Sequence, residues 1–139
     1  MLKRYLFMLP IGAMIFAAMG HAAVPPLTEE QRWSMSTHIF AGQVISDTSR
    51  EVQSRGGTDT VHSARVKVTM LMKGDFLMTG SEVRVGYWRK FPKGGWTGNT
   101  GQRDRMRGSQ KVMVYATHAG DDSFELLNPN GFSEIKGAE

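Results

Sequence analysis

The chain of 139 residues contains no cysteine. That absence excludes disulfides, a thiolate nucleophile, an acyl-cysteine lipid anchor and every zinc site that needs sulfur. Histidine is nearly as scarce. His21, His38, His62 and His118 are scattered, and no two stand four apart as a pair of ligands on one helix face would. His38 and His62 fall at predicted strand ends with no acid adjoining them in sequence, so they read as structural or exposed and not as catalytic. There is no G-x-S-x-G turn, no phosphate-binding glycine loop and no paired-acid motif. Asp121 and Asp122 lie in a glycine turn without the further spaced oxygens that calcium requires. No cofactor or metal is implied, and the chain reads as a binding module and not an enzyme.

What is present begins with a leader. Lys3 and Arg4 precede an uncharged apolar run from Tyr5 to Met19, and Gly20, Ala22 and Ala23 follow. This is the three-part order of a secretory signal peptide over residues 1–23, with cleavage after Ala22 or Ala23, and it places the mature protein in the periplasm or outside the cell. The run contains Pro10 and Gly12 and falls short of the ~20 apolar residues a spanning helix needs, so a membrane is a partner only if the leader stays uncleaved. Four of the ten methionines (1, 8, 14 and 19) leave with it.

The remaining chain has to fold by burial alone. Residues 24–37 are an extended lead-in and a short helix, since Thr28, Glu29, Glu30 and Gln31 form a capping-box sequence. Residues 38–136 are the domain. HIFAGQVISD carries apolar residues on both alternating sets, Ile39 and Ile45 against Phe40 and Val44, with Gly42 marking a bend or bulge. SREVQSRGGTD is read as a polar connection ending in a Gly56–Gly57 turn. In VHSARVKVTMLMK, the residues Ala64, Val66, Val68, Met70 and Met72 share one face. SEVRVGYW turns Val83, Val85 and Tyr87 inward, and QKVMVYATH does the same with Val112, Val114 and Ala116. SFELL is a short strand, and NPNG a turn before Phe132 and Ile135. Five strands with one helix at the start predict an all-β fold, a small five-stranded, OB-fold-like antiparallel barrel with a short N-terminal helix.

The segments IFAGQVIS, ARVKVTMLMKGD, TGSEVRVGYW and GSQKVMVYATHAGDDSFELLNPNGF together resemble the netrin-like, or tissue-inhibitor-of-metalloproteinase-like, superfamily of OB-fold barrels. The likeness covers roughly residues 36–135. It rests on Gly42 two residues before Val44, on Lys73–Gly74, on Gly80 ahead of a Val-x-Val pair, and on Gly108 opening a strand toward Tyr115. The chain also resembles small exported bacterial proteins with a YWR-type segment and an LLNPNG-type ending. In the metalloproteinase inhibitors, a disulfide-held cysteine at the mature N-terminus reaches the target's zinc. This chain has no cysteine, so the resemblance implies the fold and not that activity.

The stretch from 87 to 108 stands apart. It holds six Lys or Arg against Asp104 alone, net +5, whereas the mature chain as a whole is only +2. Read as a connection of about 20 residues, it is long for a hairpin, and such segments are biased toward binding. Arg89, Lys90, Arg103, Arg105 and Arg107 suit phosphate, sulfate or carboxylate groups. Trp88, Phe91 and Trp96 supply flat contact area. The expected partner is a protein or an anionic glycan. The alternatives are a single-stranded nucleic-acid-binding module, against which export argues, and an envelope enzyme inhibitor. Mass spectrometry of the exported fraction is expected to find a mature chain beginning near Ala23 or Val24; recovery of the full-length chain alone, in membranes, would reverse the leader assignment.

Overall fold

A computed structural model describes residues 25–136; the leader and its cleavage point lie outside them. Helix α1 (Glu29–Met35) starts as its sequence predicts, with a complete capping box between Thr28 and Gln31. None of its residues is buried, so it is held to the barrel from the side. Leu27 exchanges two 2.9 Å hydrogen bonds with the Asn130 side chain, and the Arg32 guanidinium lies 4.3 Å over the Tyr115 ring.

Six strands follow: β1 (His38–Ser54), β2 (Gly57–Lys73), β3 (Glu82–Pro92), β4 (Lys111–Gly120), β5 (Ser123–Leu126) and β6 (Phe132–Glu134). They hydrogen-bond in the order β1-β2-β3-β5-β4, and β4 returns to β1 to close a five-stranded barrel. β6 lies outside that ring, paired with β4. The expected all-antiparallel pairing needs one correction, because β3 and β5 run parallel through Val85 and Phe124. A parallel contact between these strands follows from inserting the β4–β5 hairpin between β1 and β3.

The core is the inner alternation of each strand. Phe40, Val44, Ala64, Val66, Val68, Val83, Val85, Val112, Val114 and Ala116 are all buried, joined by Phe124 and Leu126. A second, smaller cluster of Ile39, Tyr115 and Leu127 lies on the outer side, where Leu27 packs. This second cluster explains the apolar residues on both alternating sets of β1.

Three bulges in the β1–β2 ladder decide which residues point inward. Gly42 pairs with Val68 and Ala41 with Met70, which leaves Thr69 unopposed; Met72 is passed over in the same way between Leu71 and Lys73. An extra residue reverses the alternation beyond it. Met70 and Met72, expected in the core, are therefore exposed, and Leu71 packs on the core instead. Ile45 is the third unopposed residue, between Val44↔Val66 and Ser46↔Arg65. Its bulge turns Asp47 to the inner face.

The polar stretch read as a connection is also strand. β1 and β2 remain paired out to Ser54↔Gly57, joined by a two-residue turn at Arg55–Gly56, and β3 stays paired with β2 to Pro92. The three strands project past the barrel as an arm. The stretch from 87 to 108 is therefore strand as far as Pro92, and only the segment beyond is a connection. Replacing Val68 by Asp is expected to unfold the domain, because an unpaired buried carboxylate costs several kcal/mol against a total stability of about 5–15 kcal/mol. Lys67→Asp, on the exposed alternation, should shift the melting temperature far less. Equal shifts would refute the register around Gly42.

Candidate functional site

The connection after β3 runs back along the arm as a strap. At the tip, Lys93 N donates to Gly56 O at 2.7 Å and the Trp96 ring covers Gly56, whose positive φ of 82° and close contact exclude a side chain there. The strap then pairs with the edge of β3: Lys90 N donates to Thr100 O at 2.9 Å and Gln102 N to Trp88 O at 2.8 Å. Gly101 lies against Trp88 with φ 72°, again leaving no space for a Cβ.

Buried Gln102 anchors the strap. Its Nε2 donates to Leu127 O at 2.6 Å and Asn128 Oδ1 at 3.0 Å, while its Oε1 accepts from Gly131 N at 3.0 Å. Four residues on, Met106 enters the barrel end and is fully buried. The strap is thus part of the fold, which corrects the reading of 87–108 as a long connection between strands.

Arg89, Lys90, Phe91, Trp88, Trp96, Arg103, Arg105 and Arg107 do not form one surface. Lys90 and Trp96 share one face of the arm with Trp88. The Lys90 ammonium is 2.8 Å from Asp59, donates to Ser54 Oγ at 2.6 Å and Arg55 O at 3.0 Å, and lies 4.9 Å from the Trp96 ring. With its side chain only 5 % exposed, Lys90 joins the strap to the hairpin tip and offers little to a partner. Trp88 occupies the outer face of β3, on the wall of a cleft of about 520 Å3.

Arg89, Phe91 and Arg103 line a separate hollow of about 340 Å3. The Arg89 guanidinium stands 5.6 Å from the Phe91 ring, and Phe91 is 56 % exposed. Arg89 Nε is buried and has no hydrogen-bond partner among the described residues. Neither Arg89 nor Arg103 is paired with a carboxylate among those residues, whereas Arg107 lies 3.8 Å from Asp104. Arg105 and Arg107 are exposed on the turn that carries Met106.

Beneath that turn lies a cluster the sequence did not disclose. Asp47 Oδ2 is 2.9 Å from His62 Nδ1, and Asp47 Oδ1 accepts the Tyr87 hydroxyl at 2.9 Å. Tyr87 in turn accepts from Met106 N at 2.8 Å and stacks on the His62 ring at 4.4 Å with planes 5° apart. Burial pushes the Tyr87 phenol well above its ordinary value; the donated Met106 N–H opposes this, and the nearby Asp47 carboxylate adds to it. The acid–imidazole geometry is one that orients general bases, but the Asp47 and His62 side chains are 3 % and 2 % exposed. Both side chains are almost wholly covered, and through Tyr87 the cluster fastens the backbone of Met106. His62 sits mid-strand, not at a strand end, and its acid partner is 15 residues away, on another strand.

At the opposite end of the barrel, His38 and His118 stand with ring centres 5.5 Å apart, and each Nε2 lies within hydrogen-bond distance of a backbone carbonyl, that of Asp75 or Asp121. No group of three or more His, Cys, Asp or Glu among the described residues is arranged to hold a metal ion. None of the described helices is long and apolar enough to cross a membrane. Comparison with protein-family models, with curated proteins and with solved structures found no match.

Tyr87→Phe is expected to cost about 1–3 kcal/mol, since it leaves Met106 N and Asp47 Oδ1 without their shared partner. The raised phenol pKa fixes the pH dependence. The unfolded chain ionises near the ordinary value of 10.0, so this stabilisation is complete below that pH and is lost as pH rises above it toward the folded value. Thermal melts of both proteins at about pH 8 and about pH 11 should show the wild-type advantage shrinking at the higher pH. A constant difference would contradict the hydroxyl's role.

Proposed function

We propose that this domain is an exported, non-catalytic binding module that recognises an anionic partner through the hollow between Arg89, Phe91 and Arg103. The observation that carries the reading is the pair of guanidinium groups on one concavity, without carboxylate partners among the described residues and beside a half-exposed aromatic ring. Guanidinium forks match sulfate, phosphate and carboxylate oxygens with two parallel hydrogen bonds, which a lysine cannot reproduce. The strap supports this use. Its pairing with β3 and the Gln102 anchor hold the backbone of the site in place, so little ordering is required on binding. Arg105 and Arg107 extend the positive field along the next turn and speed encounter more than they tighten the complex.

Export follows from the leader, and the netrin-like resemblance is compatible with a binding role without naming a partner. An anionic glycan is the preferred ligand class, because a concave site with two forks and one flat ring fits a sulfated or uronic sugar unit. An acidic protein segment presents the same oxygens, and a single-stranded nucleic acid adds bases that could stack on Phe91.

Substitution of Arg103, Arg105 and Arg107 together by Ser is expected to change stability by no more than about 0.5 kcal/mol per site, since all three are exposed. It should move elution from immobilised heparin to markedly lower salt. The control variant Arg50→Ser, Lys67→Ser, Lys111→Ser removes the same charge from exposed positions elsewhere and should elute nearer the wild type. Equal losses in the two variants would reduce the effect to net charge and sink the proposed site. Stronger retention on polyglutamate than on heparin would transfer the reading to a protein partner, and stronger retention on single-stranded DNA to a nucleic acid.

A further inference from the structure

The cleft on the outer face of β3 is built differently from the cationic hollow. Along that face the residues are Glu82, Arg84, Gly86, Trp88 and Lys90, and Gly86 is the one position without a side chain. Its backbone does not demand glycine. Gly86 is paired on both sides, with Ser63 in β2 and Glu125 in β5, and a Cβ added there would meet only Phe124 O at 3.7 Å and His62 O at 4.0 Å, ordinary contact distances. A glycine inside a paired strand loses side-chain packing and weakens the sheet, so its presence marks a place where something else approaches the backbone. Here the space above it is the cleft of about 520 Å3, which Gly86 itself lines.

We propose that this cleft is a binding site for a neutral saccharide, with one pyranose ring seated over Gly86 and stacked on Trp88. The wall and rim supply the chemistry a sugar requires. Trp88 lies along the cleft beside the open floor, its ring backed by Gly101, and presents a flat apolar surface to ring C–H groups. On the rim, Asn99 Oδ1 accepts from Gly101 N at 2.9 Å and Asn128 Oδ1 accepts from Gln102 Nε2 at 3.0 Å. With both oxygens engaged, each amide leaves its NH2 end for a ligand acceptor. Glu125, exposed and in no ion pair among the described residues, adds a pure acceptor across the cleft. Hydroxyl groups donate and accept at once, so this mixture of fixed donors and a carboxylate suits them.

The charges select against an anionic sugar. Lys90 is already neutralised by Asp59 at 2.8 Å, and Glu125 then leaves the cleft negative. An acidic residue that suits the hollow around Arg89 and Arg103 is repelled here. The two faces of the arm thus select different ligands, and the site does not rest on the anionic reading.

Titration of the purified protein with maltohexaose, cellohexaose and chitohexaose, followed by tryptophan emission and calorimetry, tests the proposal. At least one of the three is expected to give a saturable response at millimolar concentration. Gly86→Leu fills the floor and Trp88→Ala removes the stacking surface, and each should weaken that binding by about tenfold or more. Glu125→Ala, at an exposed position, reports on the same site if either of those variants melts early. The Arg103, Arg105, Arg107→Ser variant should bind the neutral sugar as the wild type does, so failure of one site is distinguishable from failure of the other. No saturable response to any of the three sugars, or undiminished binding by a Gly86→Leu or Glu125→Ala protein that melts like the wild type, would overturn it.

Discussion

The Asp47 carboxylate holds the open end of the barrel together. It engages His62 with one oxygen and Tyr87 with the other, and Tyr87 passes the connection on to the backbone of Met106. Met106 fills the end of the core, and its position sets the course of the chain on either side of it. Everything between the tip of the arm and the start of β4 follows from that fastening together with the Gln102 anchor. Removing one member leaves the others buried without partners, which is why so small a cluster has large structural consequences.

How Asp47 comes to be there shows where a sequence stops being readable. Phe40 and Val44 face inward, and simple alternation would place Ser46 inward and Asp47 in solvent. The unopposed Ile45 shifts the count by one and brings Asp47 beside His62. A bulge is a mismatch between two strands, so neither strand records it alone. The same mechanism exposed Met70 and Met72 just past Thr69. Where ladders run without interruption, as for Val83, Val85 and Tyr87 or Val112, Val114 and Ala116, alternation located the core correctly. The helix was legible because its capping box is local.

The candidate site was legible in composition more than in geometry. The concentration of Arg and aromatics between 87 and 108 marked the right region, but strand parity splits it. Arg89 and Phe91 alternate with Trp88 and Lys90, so they serve opposite faces of the arm. Lys90 looked like any other cation of the stretch, and only the placement of Asp59 on β2 reveals it as an internal pair. A polar arm carries no apolar period, which is why the extension of β1 and β2 to Ser54 and Gly57 read as a loop. Met106, alone among charges, was the one local sign that the strap dips into a core.

The strap's pairing with β3 has a further effect. β5 covers the edge of β3 only at Arg84–Gly86, and beyond that point the strand would present unpaired amide and carbonyl groups to solvent. Residues Thr100–Gln102 occupy that edge, through the bridge between Arg89 and Gly101 and its flanking hydrogen bonds. An uncovered edge of this length is a template on which a second chain can add a strand. A chain without cysteine, and with an arm projecting from its barrel, thereby has one of its exposed flanks protected against self-association by the same segment that carries Arg103, Arg105 and Arg107.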